Sequence, residues 1–211
     1  MTLKVYIVGG GGQGYSRMFI AAGWSLARNI KEADLVQFTG GEDVSPCLYG
    51  EERHPYTGDS IERDLYEAGY FAFAQRMGIP MAGICRGGQF LNVMSGGKMW
   101  QHVEGHANGQ RHDLTDLLTG KVISVSSTHH QMMVPGPDGN LLASANLGGL
   151  KERMVGSVRT VRYDCPVDAE VVYYQDTKAL CFQAHPEFYG PEDECFQYYF
   201  ELIERCHGLK A

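Results

Sequence analysis

Pro80-Met81-Ala82-Gly83-Ile84-Cys85-Arg86-Gly87-Gly88-Gln89 is the stretch on which the fold turns. Residues 80–84 are apolar with no polar alternation, which predicts a short strand buried on both faces. A helical run follows from about Gly87 to Ser95, so Cys85 stands at a strand-to-helix turn. Glycines two residues before and two after it, Gly83 and Gly87, let strand and helix approach closely around a strained central residue, the geometry of a nucleophile elbow. There the thiol projects from the carboxyl edge of a sheet, and the N-terminus of the next helix favours its thiolate form. On spacing alone a buried, inert cysteine is an equal reading.

Outward from this turn, Asp59 to Met77 reads as a helix, with Asp59 as the cap, Glu62 three residues on and Gly78 as the stop. Leu3–Val8 and Leu35–Phe38 read as strands, and Tyr15–Asn29 as a helix between them. In the second half Val122–Val125, Thr160–Tyr163, Val171–Tyr174 and Ala179–Phe182 read as strands separated by turn residues, and Glu192–Cys206 as an amphipathic helix. Strands alternating with helices predict an α/β protein. The expectation is one three-layer domain over residues 1–211, with a mostly parallel central sheet, helices on both faces and some antiparallel edge strands.

Composition narrows the function. The 211 residues carry a net charge of -7 with no basic run longer than two residues, which argues against a nucleic-acid partner. Apolar stretches fall far short of the ~20 residues of a membrane helix, and Met1-Thr2-Leu3-Lys4-Val5 does not read as a signal peptide, so a cytoplasmic protein with reduced thiols is expected. Six cysteines, at 47, 85, 165, 181, 195 and 206, include no Cys-x-x-Cys, which disfavours a zinc ribbon or a dithiol redox pair. The 27 glycines exceed ordinary usage, and 13 of them cluster at 9–14, 40–50 and 83–97.

A thiol nucleophile needs a base and the base needs an orienting group. His185-Pro186-Glu187 supplies both, because residues i and i+2 of an extended chain face the same side and Pro186 keeps His185 extended. Any single histidine of the eight is more often a core or surface residue, but the coincidence of this motif with the Cys85 turn favours catalysis. Two other patterns compete. Gly9-Gly10-Gly11-Gly12-Gln13-Gly14 matches the dinucleotide fingerprint after a strand, yet the acidic residue that should close the second strand is missing, since Asp34 precedes it. His102-Val103-Glu104-Gly105-His106, with His112 and Asp113 nearby, contains metal-ligand residue types, but its spacing lacks the His-Glu-x-x-His register, so a solvated loop and no metal are expected.

Gly83 to Gln89, Leu91-Asn92-Val93, Gly96-Gly97 and Phe182-Gln183-Ala184-His185-Pro186-Glu187 together resemble the class I glutamine amidotransferase family, whose fold is flavodoxin-like. Gly40-Gly41-Glu42-Asp43-Val44-Ser45-Pro46, Leu48-Tyr49-Gly50-Glu51 and Thr128-His129-His130-Gln131 are similar to its γ-glutamyl hydrolase-like branch, which includes the γ-glutamyl-γ-aminobutyrate hydrolases. The resemblance covers about residues 35 to 190. It implies Cys85 as nucleophile, His185 as general base and acid, and Glu187 as the group that orients it. It further implies backbone N–H groups of Gly41 and Arg86 as oxyanion donors, with Gln89 and His130 as contacts to a glutamyl group. The implied reaction is hydrolysis of the γ-glutamyl amide of glutamine or a γ-glutamyl-amine conjugate through a thioester, with no cofactor. Expected partners are a small-molecule γ-glutamyl substrate and, among proteins, a synthetase chain that receives ammonia or a second copy forming a homodimer. A non-catalytic regulatory or nucleotide-binding protein on the same fold is the remaining reading. The first forty residues are shorter than the family pattern, so the leaving-group pocket is not defined by the resemblance, and Cys47 in the oxyanion loop reads as a space filler.

Overall fold

The computed structural model describes residues 2–9, 12–155, 158–162 and 167–211; Gly10, Gly11, Tyr163 and Cys165 lie outside the described residues. Its frame is a nine-stranded sheet built from β1 (Lys4–Val8), β2 (Ser25–Leu26), β3 (Leu35–Phe38), β4 (Met81–Ile84), β7 (Arg111–Asp116), β8 (Val122–Ser126), β10 (Gly139–Ala145), β13 (Asp168–Tyr174) and β14 (Ala179–Phe182). The strand order is β2-β1-β3-β4-β14-β13-β10-β7-β8. Every pairing from β2 to β14 is parallel and every pairing from β14 to β8 is antiparallel. The parallel half, 2-1-3-4 and then the returning strand, has the flavodoxin order. The sheet is therefore mixed, and its antiparallel part is half of it rather than an edge.

Side-chain alternation on the strands builds two cores. Leu35, Ala82, Ile84, Leu180 and Phe182 face α1 (Gly12–Ala21) and α4 (Glu194–His207), whose Phe19, Tyr199, Leu202 and Ile203 complete one cluster. Val36, Phe38, Met81, Ala179 and Cys181 face α2 (Ile61–Met77) and α3 (Arg86–Met94), with Phe71, Ala74, Phe90 and Leu91 in the other. Helices thus cover both faces, which is why β3, β4 and β14 are buried at every position and carry no polar alternation.

Some boundaries differ from expectation for local reasons. The first helix stops at Ala21 instead of Asn29, because the chain turns at Gly23 and sends Trp24 back into the core, its N–H donating to the Phe19 carbonyl at 2.9 Å. Residues 25–26 then pair with β1 as a short edge strand. Ser60 rather than Asp59 caps α2, its side chain accepting from the Arg63 N–H. Asp193 caps α4 by accepting from the Cys195 N–H. The remaining strands are β5 (Lys98–Trp100), which pairs with β9 (Met132–Val134), and β6 (His102–Val103), which pairs with β11 (Lys151–Val155), itself paired with β12 (Val158–Arg162). Among the described residues no helix is long and apolar enough to cross a membrane.

Candidate active site

The carboxyl ends of β1, β3, β4 and β14 meet at one edge, where loops leave the parallel half of the sheet. Cys85 follows β4 there at φ 51° and ψ -116°, a strained conformation for a residue bearing a Cβ. The turn is possible because its neighbours lack side chains: a Cβ on Gly83 would stand 2.3 Å from the Gly87 carbonyl carbon, and one on Gly87 would stand 2.4 Å from the Phe38 carbonyl oxygen. Strand and helix are pinned at the turn by the Cys85 N–H donating to the Phe182 carbonyl (2.8 Å) and the Gln89 N–H donating to the Cys85 carbonyl (2.9 Å).

His185 leaves the end of β14. Its Nδ1 lies 2.6 Å from Glu187 Oε1, its N–H donates to Ser126 Oγ at 2.7 Å, and Phe188 stacks on the ring at 4.5 Å between centroids. Burial opposes a charge on this imidazole, but hydrogen bonding to Cys85 and to Glu187 outweighs it and lifts the pKa to about 10. An imidazole set between a thiol and a carboxylate can take a proton from the one while the other holds the ring.

The loop after β3 runs past this group. Gly40 fits between His185, Tyr15 and Cys85; a Cβ there would lie 3.0 Å from His185 Cε1 and 3.6 Å from Cys85 Cβ. The Gly40 N–H donates to the Tyr15 hydroxyl at 2.8 Å. On the opposite side Arg63 donates to the carbonyls of Thr39 (3.1 Å) and Gly40 (2.9 Å). Because C=O and N–H of a trans peptide point in opposite directions, this grip on the Gly40 carbonyl turns the Gly41 N–H away from Arg63. Gly41 itself has φ 147°, and a Cβ on it would collide with the guanidinium at 2.0 Å.

Beneath the loop Arg63 and Arg86 share Glu67. Arg63 Nε donates to Glu67 Oε1 at 2.9 Å, and the fully buried Arg86 side chain pairs with Glu67 and Asp64 while its guanidinium lies 4.9 Å from the Phe90 ring centroid. Asp64 in turn accepts from the Ser45 N–H at 2.9 Å. Burial, with Arg63 nearby, lowers the Arg86 pKa to about 10. This network joins the loop, α2 and the helix that follows Cys85. Gly9 belongs to it, since a Cβ there would lie 2.6 Å from Thr39 Oγ1 and 2.7 Å from Glu67 Oε1, and Gly14 approaches the Glu187 side chain. The two glycines serve close packing at this edge, a physical role that the dinucleotide pattern does not need.

A cavity of about 240 Å³ opens beside the thiol, lined by Gly41, Asp43, Tyr56, Cys85, Gln89 and His130, with Thr128, His129 and Gln131 along one wall. His130 Nε2 stands 3.1 Å from Asp43 Oδ1, and that contact raises the imidazole pKa. Gln89 is buried, its Nε2 donating to the Gln131 carbonyl and to Gln183 Oε1, each at 3.2 Å. Cys85, His185, Glu187, Gly41, Arg86, Gln89 and His130 are therefore all brought to one edge. Cys47 is exposed on a 3-10 turn and does not line the cavity. Tyr15, Arg63 and Ser126 carry no motif and were not legible in the sequence; only the glycines they touch, Gly40 and Gly41, hinted at neighbours that need room. The expectation of a solvated loop at 102–106 is corrected: Glu104 is exposed, but His106 is fully buried and packs against His112 and His129 at 5.2 and 4.6 Å between ring centroids.

The fold and the convergence of cysteine, histidine and glutamate at its carboxyl edge are those of the class I glutamine amidotransferases. Residues 18–187 match the model of the Peptidase C26 family, and the chain belongs to that family. A Mycobacterium tuberculosis protein whose name places it among the glutamine amidotransferases is 33% identical over 170 residues, 71% of this chain and 49% of the relative. The carbamoyl phosphate synthase small chain of Rubrivivax gelatinosus is 32% identical over 156 residues, 73% of this chain and 32% of the relative. The aligned part of this chain thus spans half or less of those two proteins. A glutamine amidotransferase from Thermotoga maritima has the same fold, with a TM-score of 0.60 at 16% identity over 97% of this chain and 84% of that one.

Proposed function

We propose that the protein hydrolyses γ-glutamyl amides through a glutamyl thioester on Cys85. The observation that carries this reading is the strained Cys85 facing a His185–Glu187 pair at the mouth of a cavity. The thiolate adds to the γ-carbonyl carbon, and the resulting oxyanion is received by the N–H groups of Gly41 and Arg86. As the C–N bond breaks, His185 gives its proton to the departing amine. Water then adds to the thioester with His185 as base, releasing glutamate and restoring the thiolate. Glu187 keeps the ring oriented and the imidazolium stable throughout. On the cavity wall His130 offers a cation for the α-carboxylate and Asp43 an anion for the α-ammonium of the glutamyl group. Gln89, with its amide nitrogen engaged inward, presents its carbonyl end as a further acceptor.

A second reading has the protein deliver ammonia to a separate synthetase chain, and the similarity to a carbamoyl phosphate synthase small chain favours it. Glutamate release from glutamine and from γ-glutamyl-amine conjugates, measured with the purified protein, separates the two. Turnover of conjugates by the protein alone supports the hydrolase; glutaminase activity that appears only with a synthetase supports the alternative. If nothing turns over and Cys85 resists a glutamine-like electrophile, both fail.

A further inference from the structure

Behind one wall of the Cys85 cavity, four buried side chains from four separate segments of the antiparallel region meet. His106 follows β6, His112 lies on β7, His129 follows β8 and Glu170 lies on β13; one ligand atom from each falls within 4.8 Å of all the others. Their polar atoms are poorly served. Both ring nitrogens of His106, Nε2 of His129 and Oε2 of Glu170 are buried without a hydrogen-bond partner. His106 Nδ1 and His129 Nε2 stand 3.6 and 3.8 Å from Glu170 Oε1, and His106 Nε2 stands 3.4 Å from Asp168 Oδ2. Only His112 makes a close contact, its Nε2 lying 3.0 Å from Glu170 Oε1. A buried polar atom without a partner has lost its hydration with nothing in exchange, so a native core rarely leaves several of them together.

The orientation of His129 indicates what is missing. Its Nδ1–H donates to the Gln131 carbonyl at 2.9 Å, which fixes the tautomer and leaves the Nε2 lone pair facing the cluster. A ring nitrogen held by a backbone carbonyl while the other points inward is how proteins orient metal-ligating histidines. Tetrahedral coordination with bonds of ~2.0–2.1 Å sets ligand atoms ~3.3 Å apart; here the three rings stand 3.0, 3.6 and 3.8 Å from Glu170 Oε1 and no two ligand atoms are more than 4.8 Å apart. One ion would give one nitrogen of each ring and one oxygen of Glu170 a common partner, while His106 Nε2 faces Asp168. Three imidazoles and a carboxylate suit zinc or a similar borderline divalent metal, with Glu170 as the anionic ligand; the neighbouring Asp168 is already paired with the buried Lys151.

We propose that His106, His112, His129 and Glu170 form a zinc-class metal site. All four positions come from the protein and are buried, so the site is structural rather than catalytic. Its place in the fold gives it a task. The Gln131 carbonyl that holds His129 also accepts from Gln89, and Ser127 Oγ donates to the His106 carbonyl at 2.9 Å. The metal would therefore fasten residues 127–131, one wall of the Cys85 cavity, to the sheet. On binding, the proton shared by His112 and Glu170 is released to solvent and metal–nitrogen and metal–oxygen bonds replace it.

The test measures metal, not activity. Protein purified without an affinity tag or chelator is dialysed against metal-free buffer and its metal content determined, and protein stripped of metal is titrated with Co²⁺ alone. The expected result is about one equivalent of zinc per chain and a tetrahedral Co²⁺ absorption band that one equivalent of zinc abolishes. Glu170→Gln and His112→Ala should each weaken retention at least tenfold, whereas Glu104→Gln at an exposed neighbouring position should not. If those core variants fail to fold, the wild-type Co²⁺ spectrum and the fall in its melting temperature on chelation still decide. A folded wild-type chain that takes up no stoichiometric metal and gives no Co²⁺ band overturns the proposal, as does full retention of zinc in both Glu170→Gln and His112→Ala.

Discussion

Two histidine–carboxylate pairs, His185–Glu187 at 2.6 Å and His112–Glu170 at 3.0 Å, lie in the two halves of one sheet and do different things. The first is at the carboxyl ends of parallel strands, where loops part to leave a cavity and the second face of the imidazole meets a thiol. The second is inside the antiparallel half, where neighbouring strands close over it and the other faces meet two more imidazoles. In both, burial opposes the imidazolium and nearby anions outweigh it, so both histidines are raised. Pairing alone therefore does not make a catalytic base. Access does: proton transfer needs a reactant beside the ring, whereas a buried pair can serve only structure.

The largest way to break this comparison is to remove the thiol that distinguishes the first pair. Cys85→Ala should lower amide hydrolysis by on the order of 10⁴-fold or more without changing the circular dichroism spectrum, because Ala still fits the turn no worse than Cys. Next comes Glu187→Gln, with an expected loss of roughly 10³-fold in kcat, since the ring loses both its orienting group and the charge that supports the imidazolium. The same change should move the alkaline limb of the rate profile to lower pH. The sign follows from the raised pKa: His185 holds its proton up to about 10, its contribution to stability is complete below the unfolded value near 6.5, and it is lost as pH rises between the two. Removing Glu187 should narrow that window from its upper end, which a titration of the His185 ring by nuclear magnetic resonance would read.

In the other half the loss should appear in stability. His112→Ala strands a buried carboxylate and should cost about 3 kcal/mol, read from denaturant unfolding. A smaller effect sharpens the catalytic side: Arg63→Met should lower kcat by roughly 10-fold to 100-fold with little change in KM, because it frees the Gly40–Gly41 peptide whose N–H is the proposed oxyanion donor. An unchanged kcat would mean that Tyr15 and the packing of Gly40 hold the loop unaided.

The parallel half was legible because its signals are local. A buried strand, the Gly83-Cys85-Gly87 spacing and His185-Pro186-Glu187 each lie within a few residues, and the fold and the proposed triad follow from them. Arg63 was hidden because it sits in an ordinary helical pattern and acts through backbone carbonyls 23 and 24 residues away. The antiparallel half was harder still. β7 has the alternation of a half-buried strand, but the partners of its His112 are Glu170, 58 residues on, and two histidines in segments without regular structure. Contacts that long in sequence leave no periodic trace, although two acidic residues on the fully buried β13 were a sign that cations wait nearby.

The central claim, that Cys85 carries the glutamyl group, is tested most directly by rapid acid quenching during turnover of a γ-glutamyl amide, followed by mass analysis of the intact and digested protein. The account predicts a glutamyl adduct on the peptide containing Cys85 that disappears when substrate is exhausted or hydroxylamine is added. An adduct on Cys47, or hydrolysis that continues at the wild-type rate in Cys85→Ala, would contradict it.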